Sequence, residues 1–134
     1  MGVALVKPSI DLGIVTTNGD AMLAFYRDVI GLKYLQQTPM PGRDGVMHRM
    51  MCGDCMIKLV VLAQLPAKAP PDGIGGASGY RYWTMTVSNL TDMVADCKAA
   101  GAKVVIGERE IRPGVRIAMV EDPDGNWVEF LSVA

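Results

Sequence analysis

An internal repeat constrains this chain more than any other feature of its sequence. Short β-prone runs, helical periodicity and turn residues give both halves the same order of strand, helix, strand and hairpin. The segment between the halves is rich in Pro, Gly and Ala, which argues against regular structure there. We therefore predict one α+β domain of two βαβββ modules, at about 8–62 and 80–134, joined by a linker at 63–79.

The first half contains one predicted helix and four predicted strands. Asn18 or Asp20 can cap the helix by accepting hydrogen bonds from its free N–H groups. The helix runs to about Ile30, and Gly31 suits the left-handed residue that follows a helix. Apolar residues at helical spacing would face a sheet, namely Met22, Leu23, Tyr26, Val29 and Ile30. The predicted strands are Ile10–Thr16, Leu32–Gln37, Val46–Cys52 and Cys55–Leu62.

The second half repeats this order. Asn89 or Thr91 can cap a helix that runs to Ala100, and Gly101 ends it. The apolar stripe of this helix is Met93, Val94 and Cys97. The predicted strands are Tyr82–Val87, Lys103–Ile106, Val115–Val120 and Trp127–Val133.

Composition excludes several classes of function. The net charge of the 134 residues is −1 and the basic residues are scattered, which argues against a nucleic-acid-binding surface. No apolar run is long enough to span a bilayer. The residues Met1 to Val6 lack a signal pattern and the three cysteines are an odd number, so we expect reduced thiols and a cytoplasmic location. Cys52 and Cys55 have CxxC spacing, but they lack the helix start of a redox motif and the second ligand pair of a zinc site.

Three segments, in the expected order, carry a family resemblance. Residues 24–32 (AFYRDVIGL), 99–104 (AAGAKV) and 122–130 (DPDGNWVEF) resemble signature stretches of the vicinal oxygen chelate superfamily. The resemblance implies that the two modules form a curled mixed sheet around a cleft. It also implies a small-molecule ligand and a homodimer. Members of that superfamily include glyoxalases, epimerases, extradiol dioxygenases, fosfomycin-modifying enzymes and metal-free drug-binding proteins, so the fold leaves the function open.

The resemblance also identifies candidate site residues. Enzymes of the superfamily typically hold a divalent metal on His, Glu or Gln, His and Glu. Carried over by position, these ligands fall on Asp11, Lys58, Tyr82 and Glu129, and only Glu129 matches the usual residue. Asp11 and Glu129 are the candidate ligands if a metal is present, since carboxylates bind hard divalent ions. Protonated Lys58 cannot be a ligand, and Tyr82 is an uncommon one.

Lys58 suggests that an ammonium replaces part of the metal's charge. We therefore predict a catalytic cluster of Glu129, Asp11, Lys58 and Tyr82 that has no cofactor, or a divalent metal bound in an atypical way. Structural roles remain possible for two of them, because Asp11 can lie at a strand edge and accept backbone hydrogen bonds, and Tyr82 can be core packing. Lys58 and Glu129 are isolated charges in apolar strands, which places each of them either in a cleft or in solvent.

The hairpin after the first helix adds further residues. If Gly53 and Asp54 form a two-residue turn, Cys52 pairs with Cys55 and Arg49 pairs with Lys58. Opposed residues share a face of the sheet, so Arg49 joins Lys58 as a substrate-binding residue. Three methionines of the same face, Met47, Met51 and Met56, would line a flexible apolar surface around these cations. His48, the only histidine, would point to the opposite face, which argues against a catalytic role.

Two functions from different classes remain. One is an isomerase or lyase acting on a small carbonyl or enolisable compound. In that enzyme Glu129 or Asp11 is the general base, Tyr82 a hydrogen-bond donor or acid, and Lys58 and Arg49 stabilise oxyanion charge. The other is a non-catalytic protein that sequesters a hydrophobic drug-like ligand, as bleomycin-resistance proteins do.

Overall fold

Two four-stranded mixed sheets and a few short helices make up this α+β chain, as the repeat predicts. The structure is a computed structural model, and it describes residues 2–134. The backbone divides into two compact units, one ending at Ala67 and the other comprising Lys68–Ala134. The division lies inside the predicted linker. Each unit carries one βαβββ module.

The first module begins with β1 (Asp11–Thr16) and ends with a hairpin. Between them lie α1 (Gly19–Leu23), a π-helical segment (Ala24–Val29), β2 (Lys33–Pro39), β3 (Gly45–Cys52) and β4 (Cys55–Leu62). The strand order is β1, β4, β3, β2, with β1 parallel to β4 and the other pairs antiparallel. The predicted hairpin register is confirmed, because Arg49 lies opposite Lys58 and Cys52 opposite Cys55.

The second module repeats this topology. It contains the single helical turn α2 (Gly73–Gly76), β5 (Tyr82–Thr86), α3 (Leu90–Ala99), β6 (Val104–Arg112), β7 (Val115–Glu121) and β8 (Trp127–Val133). The strand order is β5, β8, β7, β6, and β5 runs parallel to β8. The prediction ended β6 at Ile106, but the strand continues to Arg112. Its register against β7 shifts at three places, and these irregularities hide the alternation of apolar and polar residues.

The first helix differs from the prediction in its second half. Asn18 precedes the helix as expected, but its side chain makes no capping hydrogen bond. After Leu23 the turns widen, and the N–H of Ile30 donates to the carbonyl of Phe25, five residues earlier, at 2.9 Å. Phe25 and Tyr26 are both buried, with their rings in edge-to-face contact at 4.9 Å.

Each helix covers one face of its own sheet. In the first module the covered face includes Met50, Ile57 and Leu59, all of which are buried. In the second module, α3 packs on β6, β7 and β8 through Met93, Val94 and Cys97, as the apolar stripe predicts. The opposite face of each sheet carries the predicted site residues. No helix among residues 2–134 is both long and apolar enough to cross a membrane.

The predicted linker has more structure than its composition indicates. Arg81 donates to the carbonyl oxygens of Pro70, Pro71 and Gly73 at 2.8, 3.0 and 2.6 Å. Gly73 begins α2 and packs against the Trp127 ring, where an added Cβ would lie 2.1 Å from ring carbons. Backbone carbonyls that Pro and Gly leave unpaired are thus satisfied by one guanidinium. The prediction of an irregular linker is wrong for this turn.

Candidate functional site

Two ammonium groups flank a carboxylate at the start of β1. Lys7 Nζ donates to Asp11 Oδ1 at 2.7 Å, and Lys58 Nζ lies 3.4 Å from Asp11 Oδ2. Lys58 reaches Asp11 because β1 and β4 are parallel, and the two residues lie two pairs apart in this ladder, on the same face of the sheet. The structure therefore brings together two of the residues that the sequence singled out. It adds Lys7, which lies outside the regular strands and carries no periodic signal.

These contacts keep Asp11 ionised. The hydrogen bond from Lys7 is the largest cause that lowers the pKa of Asp11 below its usual value of 3.8, and Lys58 contributes in the same direction. Partial desolvation opposes the shift. A carboxylate whose pKa is lowered is a weaker base, so Asp11 is better suited to orient Lys58 than to accept a proton from carbon.

Arg49 adds a third cation to this face. It lies opposite Lys58 across the strands, and its side chain is half-buried. Its Nε donates to Thr38 Oγ1 at 3.4 Å and its Nη1 to Met56 Sδ at 3.4 Å. Both contacts are long, and a thioether is a weak acceptor. Within residues 2–134, Arg49 forms no ion pair with a carboxylate.

Small and flexible residues surround the cations. Met51 pairs with Met56 and both are half-buried, while Met47 pairs with Val60 and is buried. Gly13 lies beside Lys58 on β1, and a Cβ at this position would meet no atom within 4 Å. Lys58 therefore lies beside the open space at Gly13, and Met56 is on the same face of its own strand, two residues away.

His48 lies on the covered face of the first sheet, as the hairpin register predicts. Its Nδ1 is 2.9 Å from the hydroxyl of Tyr34. Burial is the main cause that lowers the pKa of His48 below 6.5, with the positive charge of Arg27 acting in the same direction. The imidazole is therefore neutral at pH 7, and it lies away from the cations.

Glu129 has a hydroxyl partner in the second module. Thr84 Oγ1 donates to Glu129 Oε1 at 2.7 Å, because Thr84 is the residue paired with Glu129 in the parallel β5–β8 ladder. Tyr82 pairs with Trp127 instead, and it is 50% exposed. Tyr82 borders a surface recess of about 400 Å³ formed with neighbouring residues between 74 and 81. The hydroxyl that contacts Glu129 therefore belongs to Thr84, a residue that the sequence did not single out, and the exposure of Tyr82 argues against the core-packing alternative.

The two modules have the same ladder, so their positions can be compared. Lys58 is the fourth residue of β4 and Glu129 the third of β8, and each pairs with the third residue of the parallel first strand of its module. That partner is Gly13 in the first module and Thr84 in the second. At equivalent positions, the first module therefore carries an ammonium beside a glycine with open space above it, and the second module carries a carboxylate beside a hydroxyl.

The donor set does not fit the metal that the family resemblance implies. Asp11 offers its oxygens to two ammonium groups, and protonated Lys58 has no lone pair to donate. Residues 2–134 contain no group of three or more His, Cys, Asp and Glu side chains that could hold a metal ion.

Comparison with known proteins identifies the family. The model of the Glyoxalase/Bleomycin resistance protein/Dioxygenase superfamily matches residues 10–130. The chain therefore belongs to this superfamily, as the three sequence segments indicate. No curated protein matches the chain significantly.

Solved structures share the fold at low sequence identity. A glyoxalase family protein from Bacillus cereus is 17% identical with a TM-score of 0.79, and the match covers 98% of this chain and 96% of that one. The lactoylglutathione lyase from Agrobacterium tumefaciens is 23% identical with a TM-score of 0.64, over 92% and 91% of the two chains. The trypanothione-dependent glyoxalase I of Leishmania major is 19% identical with a TM-score of 0.69, over 91% and 84%. These similarities establish the fold alone.

Proposed function

We propose that this chain is a lyase or isomerase that acts on a small carbonyl or enolisable compound without using a metal. The observation that carries the proposal is the pair of opposed cations, Lys58 and Arg49, at and beside a position where the family resemblance predicts a metal ligand. Membership of the superfamily and the similarity to a lactoylglutathione lyase support it.

The chemistry follows from what an enolate requires. Removal of a proton from the carbon beside a carbonyl leaves its electron pair to form a C=C bond, and the carbonyl oxygen becomes an anion. Positive groups fixed before the reaction stabilise that anion more than they stabilise the neutral carbonyl. Lys58 is oriented by its ion pair with Asp11, whereas Arg49, opposite Lys58 on the next strand, has only long contacts to Thr38 and Met56, which leave its guanidinium available to an anion.

The sequence indicates two carboxylates, Glu129 and Asp11, as candidate proton acceptors. Of these, Glu129 is the one whose carboxylate accepts a hydrogen bond from a hydroxyl, that of Thr84, and it is half-buried on β8. After the proton has been removed, its return to a different carbon gives an isomer. Departure of a leaving group with its electron pair from the next carbon gives the product of a lyase.

Exchange of the proton next to the carbonyl for deuterium tests the proposal. Small ketones, aldehydes and oxo acids are incubated with the protein in D₂O, and loss of the C–H signal is followed by proton NMR. Glu129→Gln is expected to slow exchange by about 10² or more. The matched control is Glu121→Gln, because Glu121 lies on the neighbouring strand and its acceptor role toward Trp127 survives the change. Exchange that is equal in wild type and Glu129→Gln for every substrate contradicts the proposal.

The sequestration of a hydrophobic ligand is a second candidate function, favoured by the half-buried methionines Met51 and Met56. In that case an apolar ligand binds wild type and Glu129→Gln equally, and neither form changes it chemically. Metal analysis of protein purified without added ions adds an independent check on the metal-free proposal. One tightly held divalent ion per chain would contradict it.

A further inference from the structure

We infer that the substrate carries a carboxylate, which binds to the guanidinium of Arg49. This inference rests on the proposed function and deepens it, because it names small oxo acids as the substrate class. Charge balance, hydrogen-bond donors and open space support it, all on the face of the first sheet that carries Asp11, Lys58 and Arg49.

The charge balance of this face is uneven. Lys7, Lys58 and Arg49 contribute three cations, and among residues 2–134 Asp11 contributes the one carboxylate that contacts any of them. Two positive charges therefore remain in surplus. Lys58 and Arg49 are directly opposed, and like charges in that arrangement destabilise a sheet. A bound anion removes this repulsion, so the arrangement favours a ligand with negative charge.

Arg49 is the cation that has unused hydrogen-bond donors. A guanidinium has five N–H donors in a planar fork that matches a carboxylate. The two contacts of Arg49, to Thr38 and Met56, occupy Nε and one donor of Nη1. The remaining donors have no hydrogen-bond acceptor among residues 2–134. Partial burial strengthens the attraction between this charge and an anion, because less water screens it.

The surplus charge matches the enolate of an oxo acid. The carboxylate of the substrate supplies one negative charge, and the enolate oxygen supplies a second when the proton leaves. The total then equals the two surplus positive charges. An uncharged ketone leaves one positive charge unmatched, whereas a phosphate-bearing carbonyl compound exceeds the surplus when it becomes an enolate. Open space above Gly13 lets the second oxygen approach Lys58.

Binding of matched probes tests the inference without requiring turnover. The methyl groups of methionine are labelled with carbon-13, so that Met51 and Met56 report on ligands by NMR. The probes are 2-oxobutyrate, its uncharged amide, oxalate as a mimic of the dianionic enolate, and dihydroxyacetone phosphate. We expect oxalate to bind most tightly, 2-oxobutyrate next, and the amide at least tenfold more weakly than 2-oxobutyrate.

Substitutions then locate the carboxylate. Arg49→Met is expected to weaken 2-oxobutyrate binding at least tenfold, and Arg49→Lys to restore part of it. Arg43→Met is the matched control, because Arg43 lies in the exposed turn before β3 and should leave binding unchanged. Urea unfolding of each variant verifies that the fold is intact.

The outcomes separate this inference from the proposed function. If oxo acids bind through Arg49 but exchange no proton in D₂O, carboxylate recognition stands and the proposed function fails. If the amide exchanges as fast as the acid, and Arg49→Met changes neither, the proposed function stands and this inference is overturned. Tighter binding of dihydroxyacetone phosphate through Arg49 also overturns the choice of a carboxylate.

Discussion

Replacement of Gly13 by Val separates the stability of the first module from its ability to bind a ligand. The change adds an isopropyl group beside Lys58, where a Cβ would meet no atom within 4 Å, and Gly13 is not among the glycines with positive φ. Gly in a strand is less stable than Ala by roughly 0.5–1 kcal/mol, and β-branched residues favour strands. We expect the free energy of unfolding to rise by about 0.5–1 kcal/mol, and the Tm by roughly 2–4 °C.

Binding should change in the opposite direction. The added methyl groups occupy the space through which a ligand oxygen would approach Lys58. Insertion of extra atoms into an occupied site typically costs about 1–3 kcal/mol, which corresponds to a roughly 5- to 150-fold loss of affinity. Oxalate is the probe, titrated against the labelled methionines by NMR, and urea unfolding gives the stability.

A matched control separates the effect of the position from the effect of replacing any strand glycine by valine. Gly107 lies on β6, and a Cβ there would likewise meet no atom within 4 Å. Gly107→Val should therefore leave oxalate binding unchanged. If Gly13→Val binds oxalate as well as wild type does, the space beside Lys58 is not part of the binding site. If Gly13→Val unfolds more easily than wild type, the position does not have room for a larger side chain, and the expected gain in stability is wrong.

Three further predictions concern ionisable groups. The pKa of Asp11 lies below 3.8, mainly because of Lys7, so its stabilising contribution is complete above pH 3.8 and is lost as the pH falls through the lower native value. Acid unfolding followed by circular dichroism should show this pH dependence flattened in Asp11→Asn. Burial lowers the pKa of His48 below 6.5, so stability should decline as the pH falls below 6.5, and His48→Gln should remove that decline in urea unfolding at a series of pH values. Burial raises the pKa of Cys97 to about 11, and it also raises that of the half-buried Cys52. Alkylation of the native protein followed by mass spectrometry should therefore modify Cys52 before Cys97, and early labelling of Cys97 would contradict its burial.

Local turn chemistry made the first hairpin predictable. A two-residue turn at Gly53 and Asp54 fixes which residues face each other, so the opposition of Arg49 and Lys58 followed from the sequence. The parallel pairing of β5 with β8 has no such turn, because a helix and two strands separate them. The contact between Thr84 and Glu129 was therefore missed.

Other features left no periodic signal. Lys7 precedes the first strand in an irregular segment, and only the folded backbone brings its ammonium to Asp11. The widened turns after Leu23 depend on how the two adjacent aromatic residues pack, which the spacing of apolar residues does not encode. The open space beside Gly13 likewise depends on where the neighbouring side chains lie in the folded chain, which the sequence pattern does not give.

The opposite charges at Lys58 and Glu129 bear on how such a chain can evolve. In a symmetric assembly of two identical one-module chains, the same strand position carries the same residue in both copies. Such an assembly carries one residue type at both positions. A lysine in one module and a glutamate in the other become available only after the gene has been duplicated and the two copies mutate independently. A reconstruction that starts from a one-module gene must therefore place at least one of these two residues after gene duplication.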